Sequence, residues 1–228
     1  MRKIVQIEDI VKKEFPSLDI SSLQIDRFSE YFILLSQWNK RINLTAIRNL
    51  EEMLFKHLID ALVFYKIAEK YPKLINREIK SMDFGSGAGI PGIILAIAGF
   101  LNNLVSVDKS KKKIAFQQEV VRKLKLSSVL PLHERLEDLI QQNQYKNSFG
   151  LIITRAFSQI KDILSFADPF LCTKGCLVLW KGEKWRDEIE NISSTQKKKY
   201  ELLDTFSYTI SHYQLGGTLL LIQKTENK

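Results

Sequence analysis

The chain has 228 residues and a formal net charge of +8, from 34 Lys and Arg against 26 Asp and Glu. Hydrophobic residues make up 45% and charged residues 26%, which is typical of a folded globular chain and excludes a disordered or low-complexity protein. A basic surface of this size is compatible with a polyanionic partner but does not by itself identify one.

The first residues and the longest apolar stretch bear on targeting and membrane insertion. Glu8 and Asp9 appear before any apolar run of the signal-peptide type has formed. The longest apolar stretch, residues 90–101, is interrupted by Pro91 and Gly99 and falls short of the roughly 20 residues that a membrane span needs. We therefore expect a cytoplasmic protein without a membrane partner.

Residues 1–77 are predicted to form an N-terminal helical extension, and residues 78–228 a second domain on which it packs. Apolar residues recur at spacings of three and four along two helix faces. They are Phe28, Tyr31, Phe32, Leu35 and Trp38 on the first helix, and Leu54, Leu58, Ala61, Leu62 and Tyr65 on the next.

A polar and basic break, residues 39–45, separates these two helices. Thr45 or Asn49 is placed to cap the second helix, since either side chain can accept a hydrogen bond from a free backbone N–H. The Tyr71–Pro72 step is predicted to end the helical part, because the residue before a proline is biased away from the helical conformation.

From residue 79 onward, short apolar runs alternate with helical stretches. Strands are predicted at 79–84, 103–108, 129–134, 150–155, 176–181, 201–210 and 218–224, and helices at 91–98, 111–125, 158–171 and roughly 183–199. Strands joined by helices form a parallel sheet with right-handed crossovers. The last two strands are separated by only a few residues, including Gly216 and Gly217, and should pair as an antiparallel hairpin.

The sharpest local signal is the run Asp83-Phe84-Gly85-Ser86-Gly87-Ala88-Gly89, which follows a predicted strand and precedes a helix. Glycines at alternate positions let the backbone turn sharply and approach a ligand. Asp108 ends the next strand, 23 residues after Gly85, where a carboxylate can accept hydrogen bonds from both hydroxyls of an adenosine ribose. The alternative interpretation is merely a tight strand–helix turn.

Two cofactor classes compete for this loop. The dinucleotide fingerprint requires a third glycine where this chain has Ile90, which disfavours NAD and FAD. S-adenosylmethionine has no pyrophosphate to place at the helix N-terminus, so the loop fits it better. The predicted fold is α/β: a Rossmann-like class I S-adenosylmethionine-dependent methyltransferase with a seven-stranded mixed sheet, a terminal antiparallel hairpin and the N-terminal helical extension.

Motifs spread over most of the chain carry a family resemblance. They are Trp38-Asn39-Lys40-x-x-Asn43-Leu44-Thr45, Lys56-His57-x-x-Asp60, Asp83-x-Gly85-x-Gly87-x-Gly89-x-Pro91-Gly92 and Ile153-Thr154-Arg155-Ala156-Phe157. In this order they closely resemble the RsmG (GidB) family of bacterial 16S rRNA guanine-N7 methyltransferases. The Asn-Leu-Thr and Arg-Ala-Phe elements are much more specific than the glycine loop. Two departures, Lys56 for the usual arginine and Ala61 for the usual serine, concern one helix only.

The resemblance implies methyl transfer from S-adenosylmethionine to N7 of a guanine in 16S rRNA, with the small ribosomal subunit as partner. It places cofactor contacts on Gly85, Ile90, Leu136, Glu137 and Arg155, and the glycine loop and its acidic partners add Asp83, Ser86, Gly87 and Asp108. Because guanine N7 carries a lone pair and no proton, no general base is required and no catalytic acid or base is predicted.

RNA-binding candidates lie near the expected mouth of the cofactor site. They are Lys109, Lys111, Lys112 and Lys113 after Asp108, Lys40 and Arg41 in the N-terminal break, and Arg155 and Phe157 after the fourth strand. Taken singly, each basic side chain is more often a solvated surface charge. Phe157 is either a platform on which an unstacked base rests or a core residue at the start of the next helix.

Several alternatives stay open. His57 and Asp60 share a helix face, but no further ligands accompany them, so no metal is predicted. Cys172 and Cys176 are expected to be buried thiols, and a monomer is expected because no long coiled-coil seam is present. The rival functions are a methyltransferase for a small molecule or a protein, and a non-catalytic RNA-binding module that retains the cofactor fold.

Overall fold

The computed structural model describes residues 2–76, 78–210 and 215–226. The helices are Arg2–Glu14 (α1), Ser22–Asn39 (α2), Leu50–Met53 (α3), Asp60–Leu62 (α4), Tyr65–Lys70 (α5), Gly92–Ile97 (α6), Lys111–Leu124 (α7), Leu136–Leu139 (α8), Ile160–Ala167 (α9), Trp185–Glu190 (α10) and Ser194–Lys199 (α11). A π-helical segment, Leu54–Ile59, joins α3 to α4, and short 3-10 helices cover Pro72–Ile75 and Asn143–Tyr145. The strands are Ser81–Phe84 (β1), Leu104–Asp108 (β2), Val129–His133 (β3), Phe149–Arg155 (β4), Leu171–Lys181 (β5), Tyr200–Ile210 (β6) and Leu215–Lys224 (β7).

One seven-stranded sheet carries the fold, with the strand order β3-β2-β1-β4-β5-β7-β6. Strands β1 to β5 pair in parallel, and β7 lies antiparallel between β5 and β6. This confirms the predicted five parallel strands followed by a hairpin. The order reverses between β1 and β4, and in open α/β sheets ligands bind outside the carboxyl ends of the strands at such a point.

The long helix α2 forms as its apolar spacing predicts. A capping box starts it, with the Ser21 hydroxyl accepting from Gln24 N and the Gln24 side chain accepting from Ser21 N. The apolar face is buried, and Tyr31 and Phe32 are at most 1% exposed. The ring of Trp38, near the end of the helix, contacts Phe116 of α7 with the centroids 5.7 Å apart. The helical extension thus packs directly on the sheet-covering helix α7.

The second predicted helix is less regular than its apolar spacing suggests. Its core positions are buried, but the π-helical turn and a break after α4 divide it. Asn49 caps α3 by accepting from Glu52 N at 3.0 Å, whereas the Thr45 hydroxyl is used elsewhere. Of the two predicted caps, only Asn49 is correct.

Three further predictions need correction. The helix predicted at roughly 183–199 is two helices, because Ser193 begins a new capping box with Gln196. The helix α8 was not predicted, and α9 begins at Ile160 instead of residue 158. Gly216 and Gly217 lie inside β7 and not in the turn, which falls in residues 211–214, outside the described residues.

Two apolar clusters cover the two faces of the sheet. One joins the N-terminal helices to α6, α7 and residues such as Leu104, Leu151 and Val178. The other, including Met82, Ile152 and Leu177, packs against α8 and α9. Within the described ranges, no helix has the length and apolar character needed to cross a membrane.

Candidate functional site

The glycine-rich loop leaves β1 at the point where the strand order reverses. Gly85, Gly87 and Gly89 all have positive φ, at 62°, 59° and 80°. A Cβ on Gly85 would lie 2.6 Å from Cδ2 of Phe157, so the loop can approach that ring only because residue 85 has no side chain. The glycine therefore fixes the distance between the loop and the segment that follows β4.

Asp83 lies beneath this loop. Its Oδ2 accepts from Gly92 N at 3.0 Å, which ties the start of α6 to the end of β1. Its Oδ1 is buried and has no partner among the described residues. Burial raises the pKa of Asp83 to about 7, because the charged form loses its hydration.

Gln117 holds the loop from below and was missed by the sequence analysis. Its Nε2 donates to Ser86 Oγ and to the Gly87 carbonyl, both at 2.8 Å, and its Oε1 accepts from Ser106 Oγ at 2.7 Å. The residue is 0% exposed. A signal was available, since Gln117 interrupts an apolar face of α7 that also carries Ile114 and Val120.

Tyr31 connects the helical extension to the same loop. Its hydroxyl donates to the carbonyl of Ala88 at 2.9 Å across 57 residues of chain. Burial raises the pKa of this hydroxyl, so it stays protonated and remains a donor. The loop conformation is therefore held by residues of both predicted domains.

A first cavity of about 370 Å³ opens beside the loop. Its walls include Gly85, Asp108, Lys109, Lys113, Leu136 and Glu137. The Asp108 carboxylate is fixed, because Oδ2 accepts from Gly87 N at 2.9 Å and Oδ1 from Ser110 N at 2.8 Å. Each oxygen keeps a further lone pair for a ligand hydroxyl.

The structure divides the predicted cofactor residues into two groups. Gly85, Asp108, Leu136 and Glu137 line the first cavity together. The others do not line it: Asp83, Ser86 and Ile90 are buried under the loop, Gly87 donates its N–H to Asp108, and Arg155 lies on a neighbouring cavity. The contact roles remain predictions, but the side chains of Asp83 and Ser86 support the loop from beneath.

The first cavity fits a nucleoside-type cofactor. Its volume lies in the range of about 300–1,000 Å³ typical of small-molecule sites. Leu136 and Phe157 supply apolar walls for a flat base, and Asp108 and Glu137 supply carboxylates for hydroxyl or amine donors. The donor set therefore matches S-adenosylmethionine, which combines an adenine, a ribose diol and an ammonium group.

Arg155, at the end of β4, is anchored in the helical extension. Its Nη1 donates to Asp60 Oδ2 at 2.7 Å and to the Lys56 carbonyl at 3.0 Å, and its Nη2 lies 3.1 Å from His57 Nδ1. Asp60 Oδ1 in turn accepts from the hydroxyl of Tyr208 in β6. The Lys-His-x-x-Asp motif is therefore the seat of this arginine.

His57 links that arginine to the Asn-Leu-Thr segment. Because arginine never deprotonates, His57 Nδ1 must accept from it, and the ring proton lies on Nε2, 2.9 Å from Thr45 Oγ1. Burial and the nearby guanidinium lower the pKa of His57 to about 4. The imidazole is therefore neutral and relays a hydrogen bond from Thr45 to Arg155.

The Asn-Leu-Thr segment is itself built around Asn39. The Asn39 Oδ1 accepts from Leu44 N at 2.9 Å and from Thr45 N at 3.0 Å, and its Nδ2 donates to the Ile47 carbonyl at 2.9 Å. Arg48 donates to the Asn39 carbonyl and to Asn43 Oδ1. The motif therefore encodes a fixed loop instead of a flexible linker.

A second cavity of about 300 Å³ lies next to the first. Arg155, Asp60, Trp180, Lys181 and Tyr208 are among its walls. Ala156 and Phe157 line both cavities, so the segment after β4 is the partition between them. Phe157 is half-buried and contacts Phe84 and Phe166, and it thus combines the two roles that the sequence left open.

The predicted RNA-binding residues fall in three places. Lys109 and Lys113 line the first cavity, Lys111 and Lys112 are exposed on the first turn of α7, and Arg155 lines the second cavity. Lys40 and Arg41 lie on a separate groove of about 390 Å³ beside Trp38. No three His, Cys, Asp or Glu side chains in the described part of the chain are grouped to hold a metal ion.

Two buried groups should give stability opposite dependences on pH. The folded pKa of His57, about 4, lies below its ordinary 6.5, so in that window the unfolded chain binds the extra proton and stability rises with pH. The folded pKa of Asp83, about 7, lies above its ordinary 3.8, so the folded chain holds the extra proton and stability falls as pH rises.

We therefore expect His57→Gln and Asp83→Asn to change the pH profile in opposite directions. Between pH 4 and 6.5, the free energy of unfolding should fall more steeply with pH in His57→Gln than in the wild type, and rise in Asp83→Asn. Urea unfolding across this range measures both slopes, with His133→Gln as an exposed imidazole control. Slope changes of the same sign in the two variants would contradict this assignment.

Comparison with known proteins agrees with this geometry. The family described as GidB, rRNA small subunit methyltransferase G, matches residues 24–215. Ribosomal RNA small subunit methyltransferase G of Geobacter sp. (strain M21) is 34% identical over 217 residues, which cover 94% of each chain. The same-named protein of Thermoanaerobacter sp. (strain X514) is 31% identical over 91% of this chain and 85% of its own.

Solved structures show the same fold at low sequence identity. TYW2 of P. horikoshii, in complex with MeSAdo, has a TM-score of 0.56 and 12% identity, covering 75% of this chain and 63% of its own. TYW2 of M. jannaschii, in complex with AdoMet, has a TM-score of 0.50 and 19% identity, covering 69% and 74%. The class I methyltransferase fold is thereby confirmed, and the match over residues 24–215 shows that this chain belongs to the GidB family.

Proposed function

We propose that this protein transfers a methyl group from S-adenosyl-L-methionine to N7 of a guanine in the 16S rRNA of the small ribosomal subunit. The observation that carries the proposal is the first cavity, where the glycine loop and the fixed Asp108 carboxylate lie directly across Phe157 from the Arg-Ala-Phe segment. The relatives' common name, ribosomal RNA small subunit methyltransferase G, supports the substrate class. The expected form is a monomer acting in the cytoplasm.

The chain's residues have defined roles toward the cofactor. When bound, S-adenosylmethionine supplies a methyl group on a positively charged sulfur. Asp108 is placed to accept from the ribose hydroxyls, and Leu136 and Phe157 to enclose the adenine. Gly85 keeps the loop close to Phe157, and Gln117 and Tyr31 keep it from shifting.

The chemistry at guanine asks for alignment and not for proton transfer. The N7 lone pair forms the new N–C bond, the C–S bond breaks with its electron pair left on sulfur, and no proton moves. Holding reactants in line can contribute about 7–11 kcal/mol to a rate. This accounts for a site whose buried hydrogen bonds all position groups, and in which His57 is neutral and turned toward Arg155 and Thr45.

Replacing Lys109, Lys111, Lys112 and Lys113 together by glutamine should weaken RNA association. The slope of log Kd against log salt concentration should flatten by about 0.7 for each single-strand phosphate contact that is lost. A matched variant with Lys13, Lys184, Lys197 and Lys198 changed to glutamine removes the same charge from exposed positions elsewhere. Equal slopes for the two variants would remove the α7 lysines from the interface.

The test of the proposed function is a transfer assay with methyl-labelled S-adenosylmethionine and small subunits from a strain that lacks the modification. Label recovered as 7-methylguanosine at one site of 16S rRNA is the expected result. Label in a different nucleotide, a protein or a small molecule would support a methyltransferase of another substrate. Cofactor binding without any transfer would support a non-catalytic RNA-binding module.

A further inference from the structure

The second cavity has the composition of a site for a base. It is about 300 Å³ in volume and shares Ala156 and Phe157 with the first cavity. We propose that it binds the acceptor guanine, and that Arg155 selects guanine by donating two hydrogen bonds to its O6 and N7 edge before reaction. This inference rests on the proposed function and adds the binding site and the residue that reads the base.

Counting donors on Arg155 shows what remains for a ligand. A guanidinium has five N–H donors and no acceptor. Both N–H groups of Nη1 are used by Lys56 O and Asp60 Oδ2, and one N–H of Nη2 is used by His57 Nδ1. Across residues 2–76, 78–210 and 215–226, no acceptor is within hydrogen-bond distance of Nε. Two donors therefore remain on a side chain that lines the cavity.

The two remaining donors distinguish the purines. Nε–H and the second Nη2–H lie on one edge of the planar fork, which matches two neighbouring acceptors. Guanine presents O6 and N7 there, whereas adenine presents an amino group in place of O6. An adenine would place its donor against a donor of Arg155, and the site would reject it.

The ion pair with Asp60 suits a reaction that makes the base positive. Arg155 and Asp60 lie 2.7 Å apart, with side chains that are 21% and 15% exposed, so their charges largely cancel at the cavity wall. An isolated guanidinium would repel the positively charged ring of the methylated product. Paired with Asp60, Arg155 supplies directional hydrogen bonds with little net charge, which confines its role to selection and orientation.

Binding of mononucleotides tests the proposal without requiring turnover. The protein saturated with S-adenosylhomocysteine is titrated calorimetrically with GMP, IMP and AMP. GMP and IMP both keep O6 and N7, so we expect affinities within a few-fold of each other and at least tenfold weaker binding of AMP. Equal affinities for GMP and AMP, or no GMP binding at all, would overturn the proposal.

Variants of Arg155 separate its reading role from a structural one. Arg155→Lys keeps the charge opposite Asp60 but lacks the fork, and Arg155→Gln removes both. Both should fold cooperatively and retain S-adenosylmethionine binding, while the GMP-to-AMP affinity ratio falls toward one. Arg186→Gln, which changes an arginine lying over Trp185, is the control whose ratio stays at the wild-type value. A preference that persists in both Arg155 variants contradicts the inference.

The methyl-transfer assay keeps this proposal distinct from the proposed function. If the wild type methylates small subunits but shows no preference for GMP over AMP, only the base-reading role of Arg155 fails. If it shows the preference but transfers no methyl group to rRNA, the guanine site stands and the proposed substrate is wrong. Each result therefore bears on one of the two conclusions.

Discussion

Asp108→Ala is expected to raise the Kd for S-adenosylmethionine by about 100-fold. The variant loses the charged acceptor for two ribose hydroxyls, and hydrogen bonds to charged groups contribute about 1.5–3 kcal/mol each. It also frees Gly87 N and Ser110 N, which loosens the glycine loop at the rim of the cavity. Calorimetric titration of the cofactor measures the change.

Asp138→Ala provides the matched control for this variant. Asp138 is an exposed carboxylate in α8, adjacent in sequence to the cavity residues Leu136 and Glu137. Removing it changes the net charge by the same amount without touching the loop, so its Kd should stay near the wild-type value. Both variants should unfold cooperatively. Equal affinities of Asp108→Ala and the wild type would show that Asp108 has no ribose contact.

Asp60→Ala is expected to lower the free energy of unfolding by about 3 kcal/mol, because breaking a buried ion pair leaves a charge without a partner. Arg155 would lose its closest acceptor, and the Tyr208 hydroxyl would lose its own. Both lie at the junction of the extension, β4 and β6. Urea unfolding monitored by circular dichroism gives the difference directly.

Asp204→Ala is the comparison that isolates the effect of burial. Asp204 also accepts from a tyrosine hydroxyl, that of Tyr71, and pairs with Lys70, whose side chain is 59% exposed. Exposed ion pairs contribute about 0–1 kcal/mol, so this variant should lose much less stability than Asp60→Ala. If the two variants lose the same amount, the burial of the Arg155 pair does not account for the cost.

The sheet could be predicted from sequence because it depends on local patterns. Apolar runs of strand length alternate with helices, and crossover handedness then leaves few possible topologies. The glycine loop and Asp108 were found for the same reason, since their spacing is set within one β–α–β unit. The predicted strand bounds differ from the observed ones mainly at the start of β5 and of β7, where the strands begin earlier.

The second cavity could not be predicted, because its walls come together only through tertiary packing. Asp60 and Tyr208 are 148 residues apart, and Asp60 and Arg155 are 95 apart. The sequence suggested that Arg155 contacts the cofactor, whereas its side chain is turned to the extension and the neighbouring cavity. Similarly, the Ser86 hydroxyl accepts from Gln117 and is buried, although its place in the glycine motif suggested a ligand contact.

The hydrogen bond from Tyr31 to Ala88 has a thermodynamic consequence for the order of binding. Helix α2 carries Tyr31 near its middle and leads at its end to the groove of Lys40 and Arg41, so one rigid element reaches both the RNA-binding candidates and the glycine loop. If RNA bound at that end restrains α2, it restrains the loop as well, and the cofactor then loses less conformational entropy on binding. Linkage requires the effect to be reciprocal, so a bound cofactor would tighten RNA binding by the same factor.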